Sequence, residues 1–137
     1  MQLKMTLISI SRVPVPTVLA TEHISEIAKI MINQNVGAVV VTRDYEPLGI
    51  ITEKDILKRM LLANKGLNEA VAQEIMTSPL LTIDSSRGIE EALEIMQKNR
   101  VRRLVVVKGK KLVGILTERR LLLARNSLVN ARTRLAQ

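Results

Sequence analysis

The sequence has no cysteine, no tryptophan and no phenylalanine, and a single tyrosine among its 137 residues. Without cysteine there is no disulfide and no thiolate metal site, so the composition gives no reason to expect an oxidising compartment. Without aromatic side chains, a hydrophobic core must consist of aliphatic residues and methionine. The stacking platforms that many single-strand-binding proteins use are absent as well.

Long apolar runs are also lacking. No run approaches the roughly 20 residues that span a bilayer, and the first five residues lack the apolar core of a signal peptide. We therefore expect a cytoplasmic protein without a membrane partner.

The sequence also lacks the residue sets of common catalytic sites. No Ser/His/Asp set, nucleophile elbow or Walker loop is present. The single histidine, His23, has no second histidine or cysteine with which to bind a metal. We therefore predict that the protein is not an enzyme, that it has no metal site and that it requires no cofactor.

What the sequence does contain is a large apolar fraction, 47% of its residues, and a net charge of +8. The apolar fraction is sufficient for a packed core in one compact domain or two tightly joined halves. The positive charge is concentrated in residues 97–137, which hold twelve Lys or Arg residues and one acid, Glu118. Anionic partners such as nucleotides, nucleic acid or an acidic protein are consistent with this excess. A well-solvated surface is the simpler interpretation.

An internal repeat is the most informative feature of the chain. The stretch Gly49–Asp55 returns as Gly114–Arg120, and the same offset of 65 residues aligns 14–57 with 79–122 without a gap. Identical pairs at this offset include Thr17/Thr82, Ile24/Ile89, Glu26/Glu91, Ile30/Ile95, Met31/Met96, Val36/Val101, Val40/Val105, Val41/Val106, Ile50/Ile115, Thr52/Thr117 and Glu53/Glu118. The chain therefore consists of two copies of one supersecondary unit.

Each copy has the pattern β-α-β-β-α. Apolar residues at Ile24, Ile27, Ala28 and Met31 follow the spacing of one buried helical face, and the second copy repeats them. Two β-branched runs separated by a turn follow, and a closing helix then begins at Glu53 or Glu118. One copy has too little core to stand alone, so we predict an α+β fold in which two repeats pack sheet to sheet with pseudo-two-fold symmetry.

These patterns also predict how the chain is divided. The segment before the first repeat reads as weakly strand-like and is expected to pair with that repeat. A short helical segment is expected between the repeats, and the basic C-terminal tail is compatible with a helix. The predicted divisions are an N-terminal segment 1–13, repeat 1 at 14–62, a linker at 63–78, repeat 2 at 79–126 and a tail at 127–137.

The stretch Gly49–Asp55 carries the most specific chemistry. Thr52 stands where a strand ends and a helix begins, so its hydroxyl can cap the helix beside free backbone N–H groups that favour a phosphate. Asp55 offers a carboxylate that can accept hydrogen bonds from both hydroxyls of a ribose. In the second copy Arg120 replaces this Asp, and a guanidinium has only donors. We therefore predict one site for a ribose or phosphate rather than two, centred on Thr52 and Asp55. As simpler alternatives, Asp55 favours the helix dipole and the arginines form a solvated face.

The two copies resemble the tandem cystathionine-β-synthase (CBS) domain pair, also called the Bateman module. The resemblance covers roughly Ser11 to Ala124. It rests on the stretch Glu74–Pro79 before the second repeat, on Val101–Val107, on the apolar helix positions and on the two Gly-x-x-Thr stretches. It implies a regulatory module that binds an adenosyl compound between its repeats, rather than an enzyme.

The resemblance also implies particular roles for residues. Asp55 would hold the ribose, Thr52 would lie near the phosphate, and basic residues of the second repeat would reach that phosphate. Because arginine forks onto phosphate oxygens, AMP, ADP or ATP is favoured over S-adenosylmethionine. The predicted ligand-binding residues are Thr17, Val18, Val36, Gly37, Ala38, Thr52, Asp55, Arg103 and Arg119, and those of a weaker second cleft are Thr82, Ile83, Thr117 and Arg120.

The leading hypothesis is thus a sensor that binds an adenine nucleotide as a regulatory ligand and transmits ligand state to a partner protein. The resemblance also implies a homodimer. Two alternatives from other classes stay open. One is a nucleic-acid-binding protein that uses the basic second half, and the other is a dimerisation module without a ligand.

Overall fold

A computed structural model describes residues 5–64, 66, 68–78 and 80–136. Pro79, with which the second repeat begins in the sequence, lies outside these residues. The chain forms two compact units, Val15–Leu80 and Met1–Pro14 together with Leu81–Gln137. The elements in chain order are α1 Leu7–Ile10, β1 Thr17–Leu19, α2 Ile24–Gln34, β2 Ala38–Arg43, β3 Glu46–Thr52, α3 Glu53–Ala63, α4 Ala72–Ile75, β4 Thr82–Asp84, α5 Ile89–Asn99, β5 Arg103–Lys108, β6 Lys111–Thr117 and α6 Glu118–Ala136.

The unit Val15–Leu80 contains a three-stranded sheet in the order β1-β2-β3. β2 and β3, the two predicted β-branched runs, form an antiparallel pair, and β1 joins β2 in parallel. Their hairpin turns at Asp44 and Tyr45, which have φ angles of 51° and 67°. Positive φ at two successive turn residues matches the right-handed twist of the strands.

The core of this unit confirms the predicted helical face. The buried residues of α2 are Ile24, Ile27 and Met31. They belong to one hydrophobic cluster with Val39, Val41 and Ile51 of the sheet. A stripe at this helical spacing faces one side, so it can cover the apolar face of the sheet.

The second unit repeats this arrangement. Its sheet has the order β4-β5-β6, with β4 parallel to β5 and β5 antiparallel to β6. Ala92, Leu93 and Met96 are the buried residues of α5. The closing helix α6 is longer than α3 and continues through Ala136. The predicted β-α-β-β-α order is therefore confirmed in both copies.

The prediction for the N-terminal segment was wrong. The segment forms the short helix α1 instead of a strand, because Thr6 and Ser9 make a capping box with hydrogen bonds of 3.0 and 3.1 Å. It also belongs with the second repeat: Arg12 donates its N–H to the Ile115 carbonyl over 2.9 Å. Leu7 is buried in the core of that unit.

The segment between the repeats packs on the first unit in the way that the N-terminal segment packs on the second, with a helical turn followed by a bridge to the sheet. The expected helical segment is present as the single turn α4. Thr77 then forms an antiparallel bridge with Ile50. Since Leu7 and Arg12 precede Ala72 and Thr77 by 65 residues, the repeat begins earlier than residue 14. The helical turn α1 precedes repeat 1 and belongs to the unit of repeat 2. The helical turn α4 precedes repeat 2 and belongs to the unit of repeat 1.

Within the described part of the chain, no helix combines the length and the apolar character needed to cross a bilayer.

Candidate functional site

The candidate site begins where β3 ends and α3 begins. Thr52 has extended backbone angles, φ −106° and ψ 166°, and is the N-cap of α3. Its hydroxyl accepts the Asp55 N–H at 3.2 Å, and its own N–H donates to Asp55 Oδ2 at 2.9 Å. This reciprocal pair is a capping box, so the predicted helix cap at Thr52 is confirmed.

The Asp55 carboxylate has further partners. The Thr52 hydroxyl donates to Oδ2 at 3.1 Å, and the Thr77 hydroxyl donates to Oδ1 at 3.1 Å. Asp55 is half-buried, whereas Thr77 is exposed. The carboxylate lies in the first turn of α3, where the helix dipole favours negative charge. The geometry therefore fixes both carboxylate oxygens, Oδ2 toward Thr52 and Oδ1 toward Thr77.

The structure brings the second predicted segment of the site to the same place. Ala38 lies opposite Thr52 in the β2–β3 register, and the Glu53 N–H donates to the Gly37 carbonyl at 3.2 Å. The side chains of Val36 and Ala38 are buried in the unit. A ligand at the start of α3 would therefore meet the backbone of residues 36–38.

The third predicted segment lies on β1. Thr17 is exposed and lies opposite Val40, whereas Val18 is buried and lies opposite Val41. β2 separates β1 from β3 in the sheet. Thr17 and Val18 therefore lie two strands from Thr52, and neither hydrogen-bonds to the Thr52–Asp55 turn among the hydrogen bonds described.

An open groove of about 500 Å³ begins at Asp55 and Thr77 and follows α3. Arg59 borders it and donates from Nη1 to the Met76 carbonyl at 2.8 Å. Lys58 and Arg59 stand three and four residues after Asp55, so they share its helical face. This spacing is a signal in the sequence from which these two lining residues of the groove could be predicted. The residues that line the groove are Asp55, Lys58, Arg59, Met60, Leu62, Ala63, Ala70, Glu74, Ile75 and Thr77.

The second copy has the same backbone and a different side-chain set. Thr117 accepts the Arg120 N–H at 3.2 Å, Arg103 lies opposite Thr117, and the Glu118 N–H donates to the Arg102 carbonyl at 2.9 Å. Arg120 is exposed and provides no acceptor. The predicted second cleft therefore keeps the helix cap and lacks the carboxylate.

The remaining residues of that second cleft lie on β4. Thr82 is exposed and Ile83 is buried. Asp84, which ends this strand, accepts hydrogen bonds from the Ser86 hydroxyl at 2.6 Å and from the Ser86 N–H at 2.9 Å. These bonds hold the pKa of Asp84 below its ordinary value. Thr82 and Asp84 stand two residues apart on the strand, so their side chains point to the same face.

The predicted phosphate ligands belong to the unit that holds the second repeat. Arg103 is half-buried on β5, and Arg119 is exposed in the first turn of α6. Asp55 belongs to the unit Val15–Leu80. Whether these arginines serve a ligand at Asp55 stays a prediction.

Comparison with known proteins decides the family. The family model described as CBS domain matches residues 8–62 and again residues 71–127. The chain belongs to the CBS domain family. The first match begins within α1, and the second begins at the residue before α4. These starts agree with a repeat that begins before residue 14.

Several relatives resemble the chain over most of its length. Hypoxic response protein 1 of Mycobacterium tuberculosis is 33% identical over 98 residues, which are 71% of this chain and 68% of that protein. Uncharacterized proteins of Methanopyrus kandleri and Methanocaldococcus jannaschii are 36% and 34% identical over 71% and 68% of this chain. The chain spans about half the length of these two relatives, 50% and 52%.

Solved structures share the fold. A CBS domain protein from Pyrobaculum aerophilum complexed with AMP has a TM-score of 0.80 at 28% identity, covering 94% of this chain and 99% of that one. Hypoxic Response Protein I with two coordinated zinc ions has a TM-score of 0.77 at 30% identity, covering 88% and 98%.

A zinc site of at least three His, Cys, Asp or Glu ligands does not occur among the residues that the structure describes here. His23 precedes α2 as its N-cap residue, without a side-chain cap hydrogen bond.

Proposed function

We propose that this CBS pair is a regulatory module that binds an adenine nucleotide, or another adenosyl ligand, at the Thr52–Asp55 turn. The observation that carries this proposal is the Asp55 carboxylate, held in the first turn of α3 with Oδ1 toward exposed Thr77. A carboxylate can accept both hydroxyls of a ribose, and the start of α3 with the Thr52 hydroxyl suits a phosphate. The AMP complex of the relative from Pyrobaculum aerophilum supports this ligand class.

The other predicted site residues fit distinct parts of such a ligand. The backbone of residues 36–38, with Thr17 and Val18, would flank the base. Arg103 and Arg119 would contact the phosphates, because a guanidinium binds two phosphate oxygens at once. The proposal therefore favours AMP, ADP or ATP over S-adenosylmethionine, whose sulfonium carries a positive charge where the nucleotides carry phosphate. Thr82, Ile83, Thr117 and Arg120 would form a cleft without a ribose acceptor.

The proposed role is to sense a ligand and to report its presence to a regulated partner protein. No adenosyl cofactor is consumed in this role, since the nucleotide acts as a regulatory ligand.

Titration calorimetry tests the ligand class. The full chain, verified as folded by circular dichroism, is titrated with AMP, ADP, ATP and S-adenosylmethionine. We expect saturable heat with one binding site per chain for at least one of the three nucleotides, and weaker binding of S-adenosylmethionine. Absence of heat with all four compounds would reject the proposed function, and a stoichiometry of two would reject the single site.

We also propose that the chain forms a homodimer through α3. This helix has no fully buried residue, and three of its leucines are among the most exposed large apolar side chains in the described part of the chain: Leu57 63%, Leu61 76% and Leu62 78%. An apolar patch of this kind is typical of a protein interface.

Replacement of Leu61 by glutamate is expected to dissociate this dimer, because a charge would be buried in an apolar contact. Light scattering at micromolar concentration should show a dimer for the natural chain and a monomer for Leu61→Glu. Lys54→Glu, an exposed change in the same helix, is the control and should stay dimeric. A monomeric natural chain, or an unaffected Leu61→Glu dimer, would contradict this interface.

A further inference from the structure

The Asp55 carboxylate is nearly saturated by the protein itself. A carboxylate has about four positions for accepting hydrogen bonds, two on each oxygen. Oδ2 accepts the N–H and the hydroxyl of Thr52, and Oδ1 accepts the hydroxyl of Thr77. Among the residues that the structure describes, these three bonds leave about one position, on Oδ1, whereas a vicinal diol brings two donors.

One internal hydrogen bond must therefore be given up when a ribose binds. The Thr52 N–H belongs to the capping box of α3, and the Thr52 hydroxyl is held by the Asp55 N–H and is part-buried. The Thr77 side chain is exposed, so its hydroxyl can exchange Asp55 for water at the cost of about one net hydrogen bond, the lowest cost of the three. Its departure also gives Oδ1 both of its accepting positions.

We propose that Thr77 is the residue that an adenosyl ligand displaces: the ribose diol takes over Oδ1 of Asp55 and releases the Thr77 hydroxyl. This inference rests on the proposed function. It makes Thr77 a specificity-determining residue, since only a ligand with two neighbouring hydroxyls requires the exchange. A 2′-deoxyribose, with one hydroxyl, fits the single free position and leaves Thr77 in place.

The exchange also connects the site to the segment between the repeats. Thr77 and Ile50 are joined by two backbone hydrogen bonds, of 2.9 and 3.1 Å. Arg59 holds the preceding carbonyl, that of Met76. The Thr77–Asp55 bond is a side-chain link between this bridge and the start of α3. Ribose binding removes that link, so the bridge becomes less protected while the ligand is bound.

The test compares two ligands and two substitutions. Titration calorimetry measures AMP and 2′-deoxy-AMP on the full chain, on Thr77→Val, which has the same shape without a hydroxyl, and on Thr77→Ser, which keeps the hydroxyl. Thr77→Val should bind AMP about three- to tenfold more tightly than the natural chain, the factor of one net hydrogen bond. Its binding of 2′-deoxy-AMP should stay within about twofold, and Thr77→Ser should behave as the natural chain for both ligands.

Hydrogen exchange gives a second, independent readout. AMP should accelerate exchange at the Thr77 and Ile50 amides of the natural chain, and 2′-deoxy-AMP should not. Weaker AMP binding by Thr77→Val, equal effects on the two ligands, or slower exchange at both amides would overturn the displacement while leaving the proposed function intact. Absence of any nucleotide binding to the natural chain would overturn the proposed function and this inference together.

Discussion

Replacement of Asp55 by asparagine is expected to weaken AMP binding by about a hundredfold or more. The carboxylate would accept two hydroxyls, and hydrogen bonds to a charged group contribute about 1.5–3 kcal/mol each. An asparagine amide has one accepting oxygen, and its NH₂ group cannot accept a hydrogen bond from a ribose hydroxyl. At least one of the two hydrogen bonds to the ribose is therefore lost. Titration calorimetry on the natural chain and on Asp55→Asn measures the difference.

Asparagine is preferable to alanine for this test, because its side-chain oxygen can still accept the Thr52 N–H and preserve the helix cap. Arg120→Ala changes the equivalent position of the second copy and serves as the matched control, with AMP affinity within about threefold of the natural chain. Thermal unfolding verifies that both variants are folded. If Asp55→Asn bound AMP as tightly as the natural chain, the ribose would not lie at Asp55.

Alanine at Gly49 is expected to destabilise the first unit by about 2–3 kcal/mol, the upper part of the range for overpacked sites. A methyl group at this position would lie 2.8 Å from Met76 Sδ and 2.8 Å from the Thr77 carbonyl oxygen. The methionine side chain can move aside. The carbonyl cannot, because it accepts the Ile50 N–H in the bridge. Urea unfolding followed by circular dichroism measures the change in the free energy of unfolding.

Gly66→Ala is the matched control, since its methyl would meet Glu69 at an ordinary contact distance of 3.5 Å. Its free energy of unfolding should change by less than about 0.5 kcal/mol. The second copy has the same close approach, where a methyl at Gly114 would lie 2.6 Å from Ser11 Cβ. If Gly49→Ala were as stable as the Gly66→Ala control, the Ile50–Thr77 bridge would be able to shift away from residue 49. The close contact at Gly49 would then not be what positions Thr77 beside Asp55.

The repeat, the order of elements and the start of α3 could be predicted from the sequence alone. Self-similarity at one offset requires no knowledge of the fold, and the helical face of Ile24, Ile27 and Met31 follows from a spacing of three and four residues. The cap at Thr52 is equally local, because its partner Asp55 stands three residues away. The absence of a ribose acceptor in the second copy follows from residue type, since Arg120 has donors only.

The tertiary structure alone decided which distant segments meet. The N-terminal segment was expected beside the first repeat, and α1 with Arg12 instead belongs to the unit of the second repeat. Thr77 reaches Asp55 across 22 residues of chain, and no periodicity encodes that contact. Local patterns report which face of an element is apolar, whereas the choice of partner depends on chain path and packing. For this reason the sequence identified the carboxylate, and only the structure showed how few of its accepting positions remain for a ligand.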